Sequence, residues 1–281
     1  MRIARINTDS GPDYAVPGGK GGWVPFHQIG LDAPDIVALP EAVGLVGQAS
    51  KDLDRMAGVE DPHLLCPIVR PGKIMAIGLN YDDHIRETGA QRPAQPIVFA
   101  KYTSSLNGPR DPIVVDPRLT GEPDYEAELA VVIGTPARWV TRENAAGHIL
   151  GYTVANDVSA RDHQRADGQF SRSKSMDTFC PIGPWIITRN EVPDPQGLRI
   201  RSFVNGAPRQ DSSTAKMIFG VYELIEYLSR TMTLEAGDVI LTGTPHGVGQ
   251  GMKPPVFLAD GDVVRCEIEG IGALENPVTG P

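Results

Sequence analysis

Short runs of Val, Ile, Leu, Thr and aromatic residues, punctuated by glycines and prolines, recur along the chain and predict strands more often than helices. Near the start they predict strands at residues 2–6 and 22–26, followed by a helix over 40–56. Beyond Pro71 they predict strands at 73–78, 97–102, 125–133, 149–155, 185–188, 198–204, 238–242 and 263–268. Helices are expected at 142–146, at 157–166 after Asn156, and at 220–230. In the last, Val221, Leu224, Ile225 and Leu228 follow helical spacing and form a stripe that needs a covering partner, a reason to expect a dimer. Asn205-Gly206 after a strand-like run predicts a type I′ hairpin turn, whose two central residues both need positive φ. Pro62, Pro67 and Pro71 restrict the backbone and place a linker at 67–72. The expected fold is α+β and mainly β, with a small α/β N-terminal domain at 1–70 and a larger domain at 71–281.

Composition narrows the function classes. With 281 residues, 41% of them apolar, the chain can bury a sizeable core, and its mean hydropathy of -0.18 excludes wholesale disorder. A net charge of -9 and a pI near 5.2 disfavour nucleic acid and anionic membrane surfaces as partners. No apolar run approaches the roughly 18 residues of a membrane span, and the opening Met1-Arg2-Ile3-Ala4-Arg5-Ile6 has no signal-peptide core. The expectation is a cytoplasmic protein. Cys66, Cys180 and Cys266 are odd in number and scattered, which suits a reducing compartment and small apolar side chains.

The chemistry concentrates in a few segments. On a strand through 125–133, side-chain alternation puts Glu126 and Glu128 on one face with Ala130 and Val132, and Tyr125, Leu129, Val131 and Ile133 on the other. Two carboxylates beside a core need a cation or a proton, although this segment alone is equally compatible with a solvated edge strand. Asp157 at the end of the next predicted strand supplies a third carboxylate. If a helix follows, Asp157, Arg161 and Gln164 share one face, either around a bound carboxylate or with Arg161 as an ordinary salt-bridge partner of Asp157. Three carboxylates without histidine or cysteine make a hard site, suited to Mg²⁺ or Mn²⁺ rather than zinc. The run from Thr242 to Gly249 is glycine-rich and offers N–H groups and the Thr244 hydroxyl to a carboxylate, or is a plain turn; it lacks the GK[ST] ending of a P-loop. His84 and Glu87 stand one helical turn apart, the spacing of a general base with an orienting acid and also of an inert surface pair. The polarity of 81–93 predicts a lid with few buried contacts.

Taken in order, Gly78-Leu79-Asn80-Tyr81 with His84 and Glu87, Phe99-Ala100-Lys101, 124–134, 156–164, 174–184 and 241–249 resemble the fumarylacetoacetate hydrolase family, in particular its shorter bacterial members. The resemblance runs from Pro71 to the C-terminus. It implies a mixed β-roll catalytic domain, a homodimer, and a divalent cation held by Glu126, Glu128 and Asp157. It also implies that Lys101, Arg161, Gln164 and Thr244 bind a small 2-keto acid substrate, and that His84, Glu87 and Lys174 are catalytic. Asn80-Tyr81 fits a three-carboxylate site without the additional acid of larger animal members. The reaction implied first is hydrolysis of a C–C bond in a 1,3-dicarbonyl 2-keto acid, such as an acylpyruvate or a diketo-deoxy sugar acid. Oxaloacetate-type decarboxylation or hydroxymuconate-type isomerisation at the same site is the alternative, and a non-catalytic metal- and carboxylate-binding domain is the alternative of another class.

Overall fold

A computed structural model describes the backbone of residues 1–281 and the side chains of all but residues 49–52. Nine strands give the main sheet its order: Trp23–Pro25, Gly11–Pro17, Arg2–Thr8, Cys180–Thr188, Ile149–Asn156, Ala127–Ile133, Val239–Leu241, Ile74–Gly78 and Ile97–Lys101. Neighbours are antiparallel except Val239–Leu241 with Ile74–Gly78. Leu64–Leu65 and Leu106–Asn107 pair with Arg2–Thr8 and Cys180–Thr188 and bring the sheet to eleven strands. A five-stranded sheet runs Ala207–Ser213, Arg199–Val204, Val263–Ile268, Gly272–Thr279 and Ile113–Val114.

Strand alternation decides what each face of the main sheet packs against. Leu129, Val131 and Ile133 share a core with Ile200, Val264, Cys266 and Leu274 of the five-stranded sheet, while Ala130 and Val132 share another with Ile3, Val24, Phe26, Leu39 and Val46. The strand 127–133 is therefore buried throughout, between the second sheet and the N-terminal segment. The connection over 67–72 has no regular hydrogen-bonded element, yet residues on both of its sides share one sheet and one core. All three cysteines are free; Cys180 and Cys266 are buried in the two cores, and burial pushes the Cys66 and Cys180 thiols up to about 12. No helix among the described residues is long and apolar enough to cross a membrane.

The structure departs from the expected elements where side chains or neighbouring strands claim the backbone. The helix expected from Asp157 begins at Arg161 instead, because the N–H groups of Asp157, Val158 and Arg161 go to the carbonyls of Glu126, Phe179 and Glu122. Asp157 therefore does not share a helical face with Arg161 and Gln164. The strand expected from Tyr125 begins at Ala127, since the N–H groups of Tyr125, Glu126 and Ala127 are taken by the side chains of Asp124, Asn156 and Gln210. The helix expected at 142–146 is a 3₁₀ turn at Ala145–His148. Asn205 and Gly206, both at positive φ, do form the tight turn of a hairpin, whose second strand, Ala207–Ser213, is too polar for hydrophobic patterning to reveal.

Val221, Leu224, Ile225 and Leu228 of the helix Val221–Thr231 are almost fully buried in the chain's own core. The stripe thus has its cover within one chain, which removes the sequence-based reason for a partner there. Leu224→Ala should lower stability by about 2–5 kcal/mol, the usual range for a buried leucine. Denaturant unfolding at protein concentrations a hundredfold apart should show the same loss. A loss that appears only at low concentration would place the stripe at a subunit interface instead.

Candidate active site

The site forms where three strand ends meet. In the antiparallel pair of 127–133 and 149–156, Ala127 faces Asn156 and Glu128 faces Ala155, so one further step of register sets Glu126 opposite Asp157. The Asp157 N–H donates to the Glu126 carbonyl at 2.9 Å, which fixes that step. Carboxylate oxygens of Glu126, Glu128 and Asp157 then lie within 4.8 Å of one another, all three residues buried.

Three buried cations hold them. Lys174 donates to Glu126 Oε2 at 2.6 Å and Asp157 Oδ2 at 2.8 Å, with Nζ 5.3 Å from the centre of the Phe99 ring. Lys101 donates to Asp157 Oδ1 at 2.6 Å, to the Phe179 carbonyl at 3.1 Å and to the Lys174 carbonyl. Arg161 reaches Asp124 Oδ2 at 2.9 Å, Glu126 Oε1 at 2.6 Å and Gln164 Oε1 at 3.0 Å. Lys101, expected among the substrate-binding residues, is fully enclosed with its three N–H donors committed, and stands behind Asp157 rather than on the cavity wall.

The protonation preferences follow from this arrangement. Burial alone would raise the Glu126 carboxyl, but Lys174 and Arg161 outweigh it and bring the group down to about 2. Burial and the neighbouring charges of Asp157 and Glu126 drive Glu128 well above the ordinary carboxylate range, opposed only in part by Lys174 and the Gly243 N–H. Burial opposes the charge of Lys174, yet Asp157 and Glu126 hold its ammonium above its usual range. Asp124, Glu126, Glu128 and Asp157 face Lys101, Lys174 and Arg161, so one negative charge lacks a counter-charge. Glu128 is where that deficit is felt. Hard oxygen donors at this spacing, with a carboxylate short of one cation, fit a divalent metal ion.

A cavity of about 110 Å³ reaches Glu126, Glu128, Arg161, Gln164, Lys174, Thr244 and His84, with Phe99 and Phe170 packed edge to face beside it. His84 and Glu87 lie on the helix Asp82–Thr88, with His84 Nδ1 and Glu87 Oε2 3.1 Å apart. Contrary to the few buried contacts expected of that segment, Tyr81, His84 and Ile85 are buried, and Asp83 is bound by Ser212, Lys216 and His246. Glu87 accepts the Gly247 N–H at 2.9 Å and lies so close to Gly251 that a Cβ there would collide with its carboxylate. The glycine-rich segment therefore serves the protein's own acids. Gly243, at φ +97°, gives its N–H to Glu128, while the Thr244 hydroxyl donates to the Ala127 carbonyl and accepts from Gln210.

Sequence reasoning missed two residues that hold these pieces together. Asp124 pairs with Arg161 and accepts the N–H groups of Tyr125, Gly249 and Gln250, and Asn80 joins Phe219 to Thr242 through three hydrogen bonds. Asp124 lies two residues before Glu126 and shares its face, a signal available from strand alternation; nothing local marks Asn80. A larger cavity, about 450 Å³, lies elsewhere, and its Arg199, Arg201 and Arg265 are paired with Asp211, Glu267 and Glu275.

The family model described as Fumarylacetoacetate (FAA) hydrolase C-terminal matches residues 73–279. The chain belongs to the fumarylacetoacetate hydrolase family. A mitochondrial oxaloacetate tautomerase of Homo sapiens is 43% identical over 99% of this chain and 91% of its own length. A fumarylacetoacetate hydrolase from Exiguobacterium antarcticum superposes with a TM-score of 0.85 at 40% identity, covering 100% of both chains. The maleylpyruvate hydrolase of Sphingobium sp. SYK-6, in complex with manganese(II) and pyruvate, gives 0.83 at 33% identity over 100% of this chain and 99% of that one. The mainly β fold is thus that of an enzyme family whose members' reactions differ, one of them holding manganese(II), and Glu126, Glu128 and Asp157 form a candidate metal site.

Because burial and the charges of Asp157 and Glu126 raise the Glu128 carboxyl, a metal ion bound there should favour loss of its proton. Titrating Mg²⁺ calorimetrically in buffers of different ionisation enthalpy should show release of up to about one proton per ion, with affinity rising as pH rises. Glu128→Gln should abolish the release and weaken binding. Heats independent of the buffer would contradict the assignment.

Proposed function

We propose that this enzyme interconverts the keto and enol forms of a small 2-keto acid, oxaloacetate being the compound its full-length relatives are named for. The observation that carries this choice over hydrolysis is the 43% identity, across 99% of the chain, to a protein named oxaloacetate tautomerase. The metal we assign is Mg²⁺ or Mn²⁺, held by Glu126, Glu128 and Asp157. When bound, it supplies Lewis-acid polarisation of the keto oxygen and the adjacent carboxylate.

The chain's own groups account for the proton transfer. Glu87 can only accept when ionised, so the proton between it and His84 sits on Nδ1, and Nε2 of the neutral imidazole keeps a free lone pair. His84 lines the cavity, and its Nε2 takes the proton from the carbon next to the keto group while Glu87 stabilises the imidazolium that forms. Two of the three Lys174 N–H groups are committed to Glu126 and Asp157, which leaves one for the substrate oxygen where negative charge develops. Arg161 holds the Gln164 carbonyl oxygen and so turns the Gln164 amide N–H groups toward a substrate carboxylate. Reprotonation from His84 completes the exchange.

Hydrolysis of a C–C bond in a 1,3-dicarbonyl 2-keto acid is the second reading, favoured by the same His84–Glu87 pair, which would equally take a proton from water. The homodimer remains part of the proposal on family resemblance, and a fully active monomer in sedimentation would remove it. Following loss of the enol of oxaloacetate spectroscopically should show metal-dependent catalysis. His84→Ala should lower kcat by about 10²–10⁴-fold, the usual span of a general base, with Mg²⁺ affinity unchanged. Cleavage of acylpyruvates to pyruvate and an acid, faster than any enol–keto conversion, would decide for the hydrolase.

A further inference from the structure

The cavity at the carboxylates continues outward. It shares Leu79, His84, Arg161 and Gln164 with a second chamber of about 330 Å³, whose far wall includes Met252 and Lys253. The cations of the two chambers are held differently. Lys174 and Arg161 each bridge two carboxylates, so their charge is already opposed. Lys253 lines the outer chamber, is exposed, and has no hydrogen bond or ion pair among the described residues. The only carboxylate on that chamber's wall, Glu87, is committed to His84 and to the Gly247 N–H.

A second uncompensated cation stands behind the wall. Arg209 brings Nη1 to 3.7 Å from Met252 Sδ, and its buried Nε has no hydrogen-bond partner. No carboxylate pairs with it among the described residues. Two cations thus act on a chamber walled by one engaged carboxylate, in a chain whose net charge is -9. A local excess of this kind concentrates anions against the overall field, and the flexible stem of a lysine lets its ammonium swing to meet one.

The geometry points to a subsite for the distal carboxylate of a 2-keto diacid, with Lys253 as the residue that selects diacids over monoacids. The inference rests on the functional reading above in one respect: the 2-keto end must occupy the inner chamber beside Glu126, Glu128 and Lys174. Leu79 and Met252 would also suit an apolar tail, but an apolar tail leaves both cations without a partner.

The test titrates the Mg²⁺-loaded protein with two five-carbon ligands, 2-oxoglutarate and 2-oxopentanoate, which differ in the distal carboxylate. The parent should bind the diacid about tenfold more tightly, the scale of one charged hydrogen bond. Lys253→Met should lose that preference and bind the monoacid unchanged, whereas Lys253→Arg should keep most of it. Equal affinities in the parent, or a preference surviving in Lys253→Met, would overturn the subsite. Enol-oxaloacetate turnover by the same proteins separates the two claims: no turnover, with the diacid preference still dependent on Lys253, leaves the subsite standing and removes the tautomerase. Binding of neither ligand to the loaded parent overturns the subsite, and turnover alone then decides the tautomerase.

Discussion

Asp157 is buried with a lysine on each oxygen, Lys101 on Oδ1 and Lys174 on Oδ2, and the second lysine continues to Glu126, where Arg161 takes the other oxygen. Removing one member of a buried pair typically costs about 3–5 kcal/mol, because the remaining charge is stranded in a poor solvent. Here the members come from strands, a helix and the loops between them, and each charge depends on the next. The network therefore fixes the mutual placement of 97–101, 124–128, 157–161 and 174 before any ligand arrives. The strand 127–133 is the frame that can carry this load, being buried on both faces along its whole length.

Electrostatics and backbone geometry serve the same end at the glycine-rich segment. Its N–H groups go to Glu128, Glu87 and Asp124, three acids from two separate regions of the chain. Glu87 can approach only because Gly251 has no side chain. The segment thereby fastens the helix of His84 to the sheet end that carries the carboxylates, so the His84–Glu87 pair and the candidate metal site share one support.

Much of this was legible in the residues because strand periodicity is strict. Alternation placed Glu126 and Glu128 on one face with Ala130 and Val132, and placed Leu129, Val131 and Ile133 in the other core, as the structure has them. What alternation could not supply was the competition for backbone hydrogen bonds. Helical spacing joined Asp157 to Arg161, but Ser159–Ala160 pair with Pro123–Asp124, and the Arg161 amide, which a helix from Asp157 would give to the Asp157 carbonyl, goes to Glu122, so the helix starts only at Arg161. Arg161 consequently serves Asp124 and Glu126, not Asp157. Long-range burial was equally hidden: the segment 81–93 is rich in charge, yet Tyr81 and Ile85 anchor it and Asp83 is tied to Ser212, Lys216 and His246, all distant in sequence.

The excess charge also explains how one constellation can serve several reactions. Without a metal ion, four carboxylates and three cations leave the site one negative charge too many, and that excess, with burial, pushes the Glu128 carboxyl well above the ordinary carboxylate range. A divalent ion with all four acids ionised reverses the balance to one positive charge, which suits an anionic 2-keto acid and the negative charge that develops when it enolises. That requirement is common to tautomerisation, decarboxylation and C–C cleavage, so the carboxylates and their lysines do not distinguish among them. On the reading proposed above, discrimination would come from where His84 Nε2 delivers or takes its proton and from what the outer chamber holds in place. The carboxylates and their lysines are bound to one another by ion pairs, whereas toward Leu79, Met252 and Lys253 the chain's internal charge pairing stops, and it is there that the proposed subsite would set one substrate apart from another.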